Sequence, residues 1–352
     1  VLNNENFLQF TRANEWGIES NADVLSATSL DNGVGVEVWD SGVIVFTPAN
    51  STPATKGSLD LVLSCAVHGD ETAPIEICDE LIEAIREQSL TPAVRVMFII
   101  ANPAAINIGK RFVDENMNRL FSGAHSEGEG LSNNERVRAK AIEGYVQRFF
   151  EQAPAGERQR LHYDMHTAIR DSQHEKFAVY PFTHGKPYKK AQLQLLAAMG
   201  VDTVLLHEGP TTTFSYFSVR QFDADAFTLE LGKVRPFGEN PVENFAACRS
   251  TLRQLIAGQD LALGEFDPAR HHIYQVLRSI NRTQQDFELN FADDVANFTE
   301  FEPGYVLARD GDKAYPVLEK GEAIIFPNAK VALGQRALIT VKEIDPGQLN
   351  LV

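Results

Sequence analysis

Residues 59–71 read LDLVLSCAVHGDE, a nearly unbroken apolar run that ends directly in His68-Gly69-Asp70-Glu71. A continuous run of this length fits a strand buried on both faces, as the strands of parallel sheets are. Downstream, Pro74 sits where a first helical turn tolerates it, and Ile75, Cys78, Ile82 and Ile85 follow at helical spacing. VRVMFII (94–100) reads as a second buried strand, closed by Asn102-Pro103. Strand, helix and strand in that order predict a parallel βαβ unit, and therefore an α/β sheet.

Upstream, GVGVEVWDSGVIVFT (33–47) alternates around Asp40-Ser41-Gly42 and predicts a β-hairpin. Its glycines do not make a dinucleotide fingerprint, because no strand precedes them and no helix follows. The polar, Gly-rich stretch 122–135 reads as a surface loop, with a helix after it over about 135–152. RLHYDMHTA (160–168) and AFTLELG (226–232) read as further strands, and helical patterns cover about 187–199 and 240–262. Near 263–270 the texture changes. From His271 onward, short alternating runs (IYQVLRSI, FELNF, AIIF, ALITVKEI) are separated by turn signals such as Asp310-Gly311 and Pro327-Asn328. The chain is therefore divided into an α/β domain over 1–264 and a smaller β-rich domain over 265–352.

The 352 residues carry 32 Lys and Arg against 48 Asp and Glu, a net charge of -16. Such a surface repels phosphate backbones and anionic lipid, which argues against nucleic acid or membrane as partners. It also requires any small anionic substrate to find a locally basic pocket. Three cysteines, Cys65, Cys78 and Cys248, cannot all pair and form no CxxC motif, so they read as small buried hydrophobes of a reducing compartment. No stretch approaches the roughly 18 apolar residues of a membrane span. The opening residues VLNNEN lack the basic and apolar regions of a secretory signal, and a cytoplasmic location is expected. Oligomeric state is not readable from the sequence.

The chemistry concentrates in four places. His68 and Glu71, three apart at the carboxyl end of a buried strand, can chelate one cation from a single turn, at the edge where open α/β sheets bind ligands. Taken alone, the pair is equally a solvated histidine and an acidic residue at a helix start. Asp164 and His166, two apart on a strand, share a face, so His166 can serve as a third ligand with Asp164 orienting it. An ordinary strand-end histidine is the alternative. Glu230 is the one carboxylate of its strand and faces away from Phe227, Leu229 and Leu231. A buried Glu there raises its pKa and suits general base work, whereas an edge-strand Glu would simply face water. Lys110-Arg111-Phe112-Val113-Asp114-Glu115-Asn116-Met117-Asn118-Arg119 sets two arginines and two asparagines in one short segment. Those are groups that clamp a carboxylate or offset an oxyanion, unless the segment is only a solvated charge run.

Taken in order, HGDE, KRFVDENMNRLF, DMHTA and LELGK resemble the zinc carboxypeptidase superfamily, and more closely its aspartoacylase/succinylglutamate desuccinylase branch. The gap from Glu71 to His166 is shorter than in digestive carboxypeptidases. DENMNRLFSG, HYDMHTAIR, EKFAVYPF, PTTTFSYFS and FTLELGKVRPFG are similar to the desuccinylase side of that branch. The likeness covers roughly 55–260, and the β-rich tail fits the family's C-terminal domain more loosely. It implies a zinc-carboxypeptidase-like mixed sheet flanked by helices. It implies one zinc ion per subunit on His68, Glu71 and His166, Glu230 as general base, and Arg111 at the transition state. Asn118 and Arg119 would hold a substrate carboxylate. The implied reaction is hydrolysis of N-succinyl-L-glutamate to succinate and L-glutamate in arginine catabolism. Another N-acyl-amino-acid deacylase such as an aspartoacylase, a carboxypeptidase, or a non-catalytic zinc-stabilised binding protein are the alternatives. One departure stands out: Asn116 replaces the Asp of the aspartoacylase version, which leaves the site less acidic and suits a more anionic substrate. The three carboxylates of N-succinylglutamate need further cations, for which Arg170, Lys176, Arg220, Lys233 and Arg235 are candidates.

Overall fold

The computed structural model describes residues 5–18, 27–49, 58–153 and 157–352. Its strands are β1 (Thr28–Ser29), β2 (Gly35–Asp40), β3 (Val43–Thr47), β4 (Leu59–Cys65), β5 (Arg95–Ile100), β6 (Gln159–Ala168), β7 (Phe177–Tyr180), β8 (Thr203–Leu206), β9 (Asp225–Lys233), β10 (His272–Asn281), β11 (Glu288–Leu289), β12 (Val306–Asp310), β13 (Lys313–Pro316), β14 (Glu322–Ile325) and β15 (Arg336–Ile344). The α-helices are α1 (Phe7–Ala13), α2 (Thr72–Arg86), α3 (Pro103–Asn107), α4 (Asn134–Glu151), α5 (Lys190–Ala198), α6 (Phe214–Phe222) and α7 (Ala246–Ile256). Twelve strands form one mixed sheet, in the order β1-β2-β3-β5-β4-β6-β9-β7-β8-β10-β15-β14, and β11-β12-β13 form a second.

The continuous apolar runs are buried on both faces, as read. Leu59, Leu61, Leu63 and Cys65 of β4 pack to one side with Val96, Phe98 and Ile100 of β5 and with Ile75, Cys78 and Ile82 of α2. Val62, Met97 and Ile99 face the other side, against Ile142, Val146 and Phe149 of α4 and Phe214, Phe217 and Phe222 of α6. At ~1.5–3 kcal/mol for each large side chain fully buried, these two layers dominate the stability of the fold. β4 pairs in parallel with both β5 and β6, and β6 in parallel with β9, so the carboxyl ends of the central strands share one edge. At the opposite end of β4, fully buried Asp60 accepts from Arg95 at 2.8 Å and from Arg158 at 2.7 Å.

The hairpin and the strands expected at 94–100, 160–168 and 226–232 are present to within two residues. The helix expected over 240–262 is shorter. A 3-10 turn at Val242–Phe245 follows Pro241, and Gly258 ends the segment in the left-handed region at φ +63°. The β-rich C-terminal domain is also present, but its longest strands do not form a sheet of their own. β10 pairs in parallel with β8, and β15 and β14 follow, so they extend the central sheet and cover what would be an open edge at β8. Cys65, Cys78 and Cys248 are all free and buried. Among the described residues no helix is long and apolar enough to cross a membrane.

Candidate metal centre and active site

The chain leaves β4 through Ala66, a non-glycine residue in the left-handed region at φ 57°. That turn is costly for an L-residue, and it swings His68 over the sheet edge. Gly69 is fixed by packing: a Cβ there would meet the Ala105 carbonyl carbon at 2.2 Å. Its N–H donates to the Arg111 carbonyl at 3.2 Å and so ties the HGDE turn to the basic segment. Glu71 occupies the N-cap position of α2 yet makes no capping bond. The helix forgoes a cap worth ~1 kcal/mol, and the carboxylate turns toward the site instead.

There the side chains of His68, Glu71 and His166 converge, with one potential ligand atom from each within 4.8 Å of the others. His68 Nδ1 lies 2.9 Å from Glu71 Oε1, His166 Nδ1 lies 2.9 Å from Glu71 Oε2, and the two Nδ1 atoms are 3.2 Å apart. All three residues are only 2% exposed. The outer ring nitrogens fix the tautomers. His166 Nε2 meets Asp164 Oδ2 at 2.9 Å, and His68 Nε2 meets Asn116 Oδ1 at 2.9 Å. Both partners are acceptors, so both Nε2 atoms carry the proton when the rings are neutral and the Nδ1 lone pairs face each other beside a carboxylate. Two nitrogen lone pairs and a carboxylate aimed at one another in a buried space form a donor set that suits a divalent cation. Burial holds the His68 pKa down at about 4. Burial also opposes the charge on His166, but Asp164 and Glu71 outweigh it and raise that pKa well above the usual value.

Asp164 is itself held from behind. Ser64 Oγ donates to Asp164 Oδ1 at 2.6 Å and lies 2.8 Å from His162 Nε2, whose Nδ1 is 2.8 Å from Ser218 Oγ of α6. Burial keeps the His162 pKa near 4, so this chain is neutral and serves to orient.

Glu230 stands on β9 in register with His166 on β6. It is 8% exposed, and its Oε2 has no hydrogen-bond partner. Burial, opposed by His166 and reinforced by Glu71, pushes its pKa up to about 7. The basic segment is shaped by Glu135, a fully buried residue of α4 that accepts from the N–H groups of Val113, Asp114 and Glu115 at 2.6, 2.7 and 2.8 Å. Within the segment, Arg111 Nη1 donates to Glu71 Oε1 at 2.7 Å. Asn118 Oδ1 accepts from the Phe214 N–H at 3.1 Å, and Arg119 Nη1 donates to the Asn118 carbonyl at 2.9 Å. His68, Glu71, His166, Glu230 and Arg111 thus meet at one place, with Asn118 and Arg119 on the adjoining segment.

The further cations named from sequence are engaged elsewhere. Arg170 donates to the Val295 and Pro327 carbonyls, Lys176 to the Asn244 carbonyl, and Lys233 pairs with Asp171. Arg220 lines a separate surface hollow with Tyr180, His184 and Asp223. Arg235 meets the start of α2 through its backbone, its carbonyl accepting from Thr72 Oγ1 at 2.6 Å. His174 bonds Tyr274 within an aromatic cluster of the C-terminal strands. Sequence reading missed the roles of Glu135 and of Asn116, which appeared only as a departure from a motif although it holds His68 in place.

A His-Glu-His donor set at the carboxyl edge of an open α/β sheet, beside a buried carboxylate of raised pKa, is the arrangement of a mononuclear metallohydrolase. Residues 58–256 match the succinylglutamate desuccinylase/aspartoacylase catalytic domain, and residues 269–344 match the AstE/AspA barrel-sandwich hybrid domain. The chain belongs to the succinylglutamate desuccinylase/aspartoacylase family. It is 58% identical over 346 residues to the succinylglutamate desuccinylase of Idiomarina loihiensis, covering 98% of both chains. It is 55% identical over 315 residues to that of Shewanella piezotolerans, covering 90% of each. Among solved structures, succinylglutamate desuccinylase from Vibrio cholerae superposes with a TM-score of 0.85 at 34% identity, over 97% of this chain and 96% of the other.

Proposed function

We propose that this chain hydrolyses N-succinyl-L-glutamate to succinate and L-glutamate, with one zinc ion per subunit held by His68, Glu71 and His166. The observation that carries the reading is Glu230, buried with an unpartnered oxygen and in register beside the three donors. Zinc, when bound, supplies Lewis acidity that polarises the scissile carbonyl and brings a water toward neutral pKa. Glu230, whose pKa burial pushes up to about 7, takes a proton from the attacking water and delivers it to the amide nitrogen as the C–N bond breaks. Arg111 has donors beyond the one engaged by Glu71 and offsets charge growing on the carbonyl oxygen. Asn118 and Arg119 hold one substrate carboxylate, Asn118 being steadied by the start of α6. Asn116 and Asp164 keep both imidazoles turned inward. The functional division of the chain into 1–264 and 265–352 belongs to this reading, as do a cytoplasmic location and a place in arginine breakdown.

The test is glutamate release from N-succinyl-L-glutamate by zinc-loaded protein, with N-acetyl-L-aspartate and C-terminal peptides alongside and Glu230→Ala as control. Turnover of the succinyl substrate alone, lost in the variant, is expected. Turnover of another acyl amino acid instead, or none with zinc bound, overturns the proposal.

A further inference from the structure

Residues 110–116 carry Arg111 and Asn116, yet they form neither helix nor strand. Phe112 and Val113 are 37% and 39% exposed, and Lys110 and Asp114 face solvent. With no apolar anchor of its own, this stretch takes its shape from polar bonds. The residues after it are fixed differently. Met117, Leu120 and Phe121 are buried, Asn118 Oδ1 accepts from the Phe214 N–H, and Phe121 N–H donates to the Thr212 carbonyl at 3.1 Å.

One carboxylate accepts three of the bonds that shape the stretch. Glu135 Oε1 accepts from the Val113 N–H and, at 3.0 Å, from Asn102 Nδ2, while Oε2 accepts from the Asp114 and Glu115 N–H groups. Among the described residues none of these partners is a cation. The charge rests on three successive backbone amides, one side-chain amide and the first turn of α4. Asn102 extends the reach. Its own N–H donates at 2.9 Å to the carbonyl of Ala66, the left-handed residue through which the chain turns toward His68. Glu135 thereby joins the turn that carries His68 and Glu71 to the stretch that carries Arg111 and Asn116. Arg111 reaches Glu71 from two residues before the bonded amides, and Asn116 meets His68 from one residue after them. The other tie from α4, Arg136 on the Glu115 side chain, is partly exposed and correspondingly weaker.

We infer that Glu135 is a positioning residue, which sets Arg111 for its role at the transition state and Asn116 for its hold on His68. The role of Arg111 rests on the function proposed above. Being fully buried, Glu135 touches no substrate and acts through those two side chains.

Glu135→Gln tests this, because it keeps the volume but replaces one acceptor by an NH2 group. Whichever way the amide turns, that group faces two N–H donors, and two bonds are lost. In zinc-saturated enzyme, kcat for N-succinyl-L-glutamate is expected to fall about 10- to 100-fold, the effect of displacing a catalytic group by about 1 Å. KM should change by less than about threefold, since Asn118 and Arg119 lie on the separately fixed segment. In an Arg111→Ala background the same substitution should cost less than about twofold more, because the group it positions is gone. Zinc affinity in a chelator titration should drop about tenfold through Asn116. Hydrogen exchange at the amides of 113–115 should quicken at least about tenfold. Melting temperature and circular dichroism check the fold. Should Glu135→Gln not fold, Glu135→Asp, which sets the acceptors one methylene further back, takes its place. Loss of the fold in both variants, fully additive losses with Arg111→Ala, an effect on KM as large as that on kcat, or an unchanged kcat overturns the assignment. If wild type fails to turn over N-succinyl-L-glutamate, the proposed reaction fails, and zinc affinity and amide exchange still decide the role of Glu135. Both must respond for it to stand.

Discussion

Glu230→Gln is expected to stabilise the metal-free protein at alkaline pH while destroying its activity. In the folded chain burial lifts the Glu230 pKa from an ordinary 4.5 to about 7. The folded state therefore holds a proton that the unfolded state releases, and stability falls as pH rises from the unfolded to the folded value. Below about 4.5 the penalty is absent, and above about 7 it is complete, at roughly 3 kcal/mol for that interval. Gln keeps the volume of the side chain and carries no charge, so the variant escapes the penalty. For a chain of this length the gain corresponds to a melting temperature about 4 °C higher at pH 8, shrinking to about 1 °C at pH 5. Differential scanning calorimetry of chelator-treated wild type and variant, at both pH values, measures it. A variant that melts at or below wild type at pH 8, or a difference independent of pH, would refute the reasoning that Glu230 is an electrostatic liability retained for chemistry.

Other expectations follow from the same geometry. Asp164→Asn leaves the Nε2 proton of His166 without its carboxylate, and zinc affinity should fall about 10- to 100-fold in a competitive chelator titration. An unchanged affinity would mean that Asp164 does not orient the ligand. Arg119→Ala should act mainly on KM and Arg111→Ala mainly on kcat, and equal small effects from both would undo the division of roles. Asp60→Ala leaves buried Arg95 and partly exposed Arg158 without their shared carboxylate and should cost about 3–5 kcal/mol in urea unfolding, with kcat preserved in the folded protein. A loss below about 1 kcal/mol would show that water replaces the carboxylate freely.

The long central strands were legible because burial on both faces writes an unbroken apolar run, as in LDLVLSCAV and VRVMFII. The four-residue strands β7 and β8 were not, since FAVY and TVLL are too short to show a period. α6 was also missed: its FSYFSVRQF mixes aromatic and hydroxyl residues with no side-chain cap at Thr213 to mark its start. At the site, His68, Glu71, His166 and Glu230 were legible because each is a polar residue at or within a strand that should otherwise be apolar. Glu135 was hidden because an acidic residue in the first turn of a helix needs no special explanation.

The unbroken hydrogen-bonded sheet has a consequence for how the molecule can be cut. A catalytic fragment ending at residue 264 would strip the cover from β8 and present Thr203–Leu206 as a bare edge rich in apolar side chains. Such an edge recruits strands from other copies, so the fragment is expected to aggregate rather than survive as a minimal enzyme. Shared strands also deny the two parts a hinge. Whatever enters or leaves the cleft does so by movement of side chains and short loops.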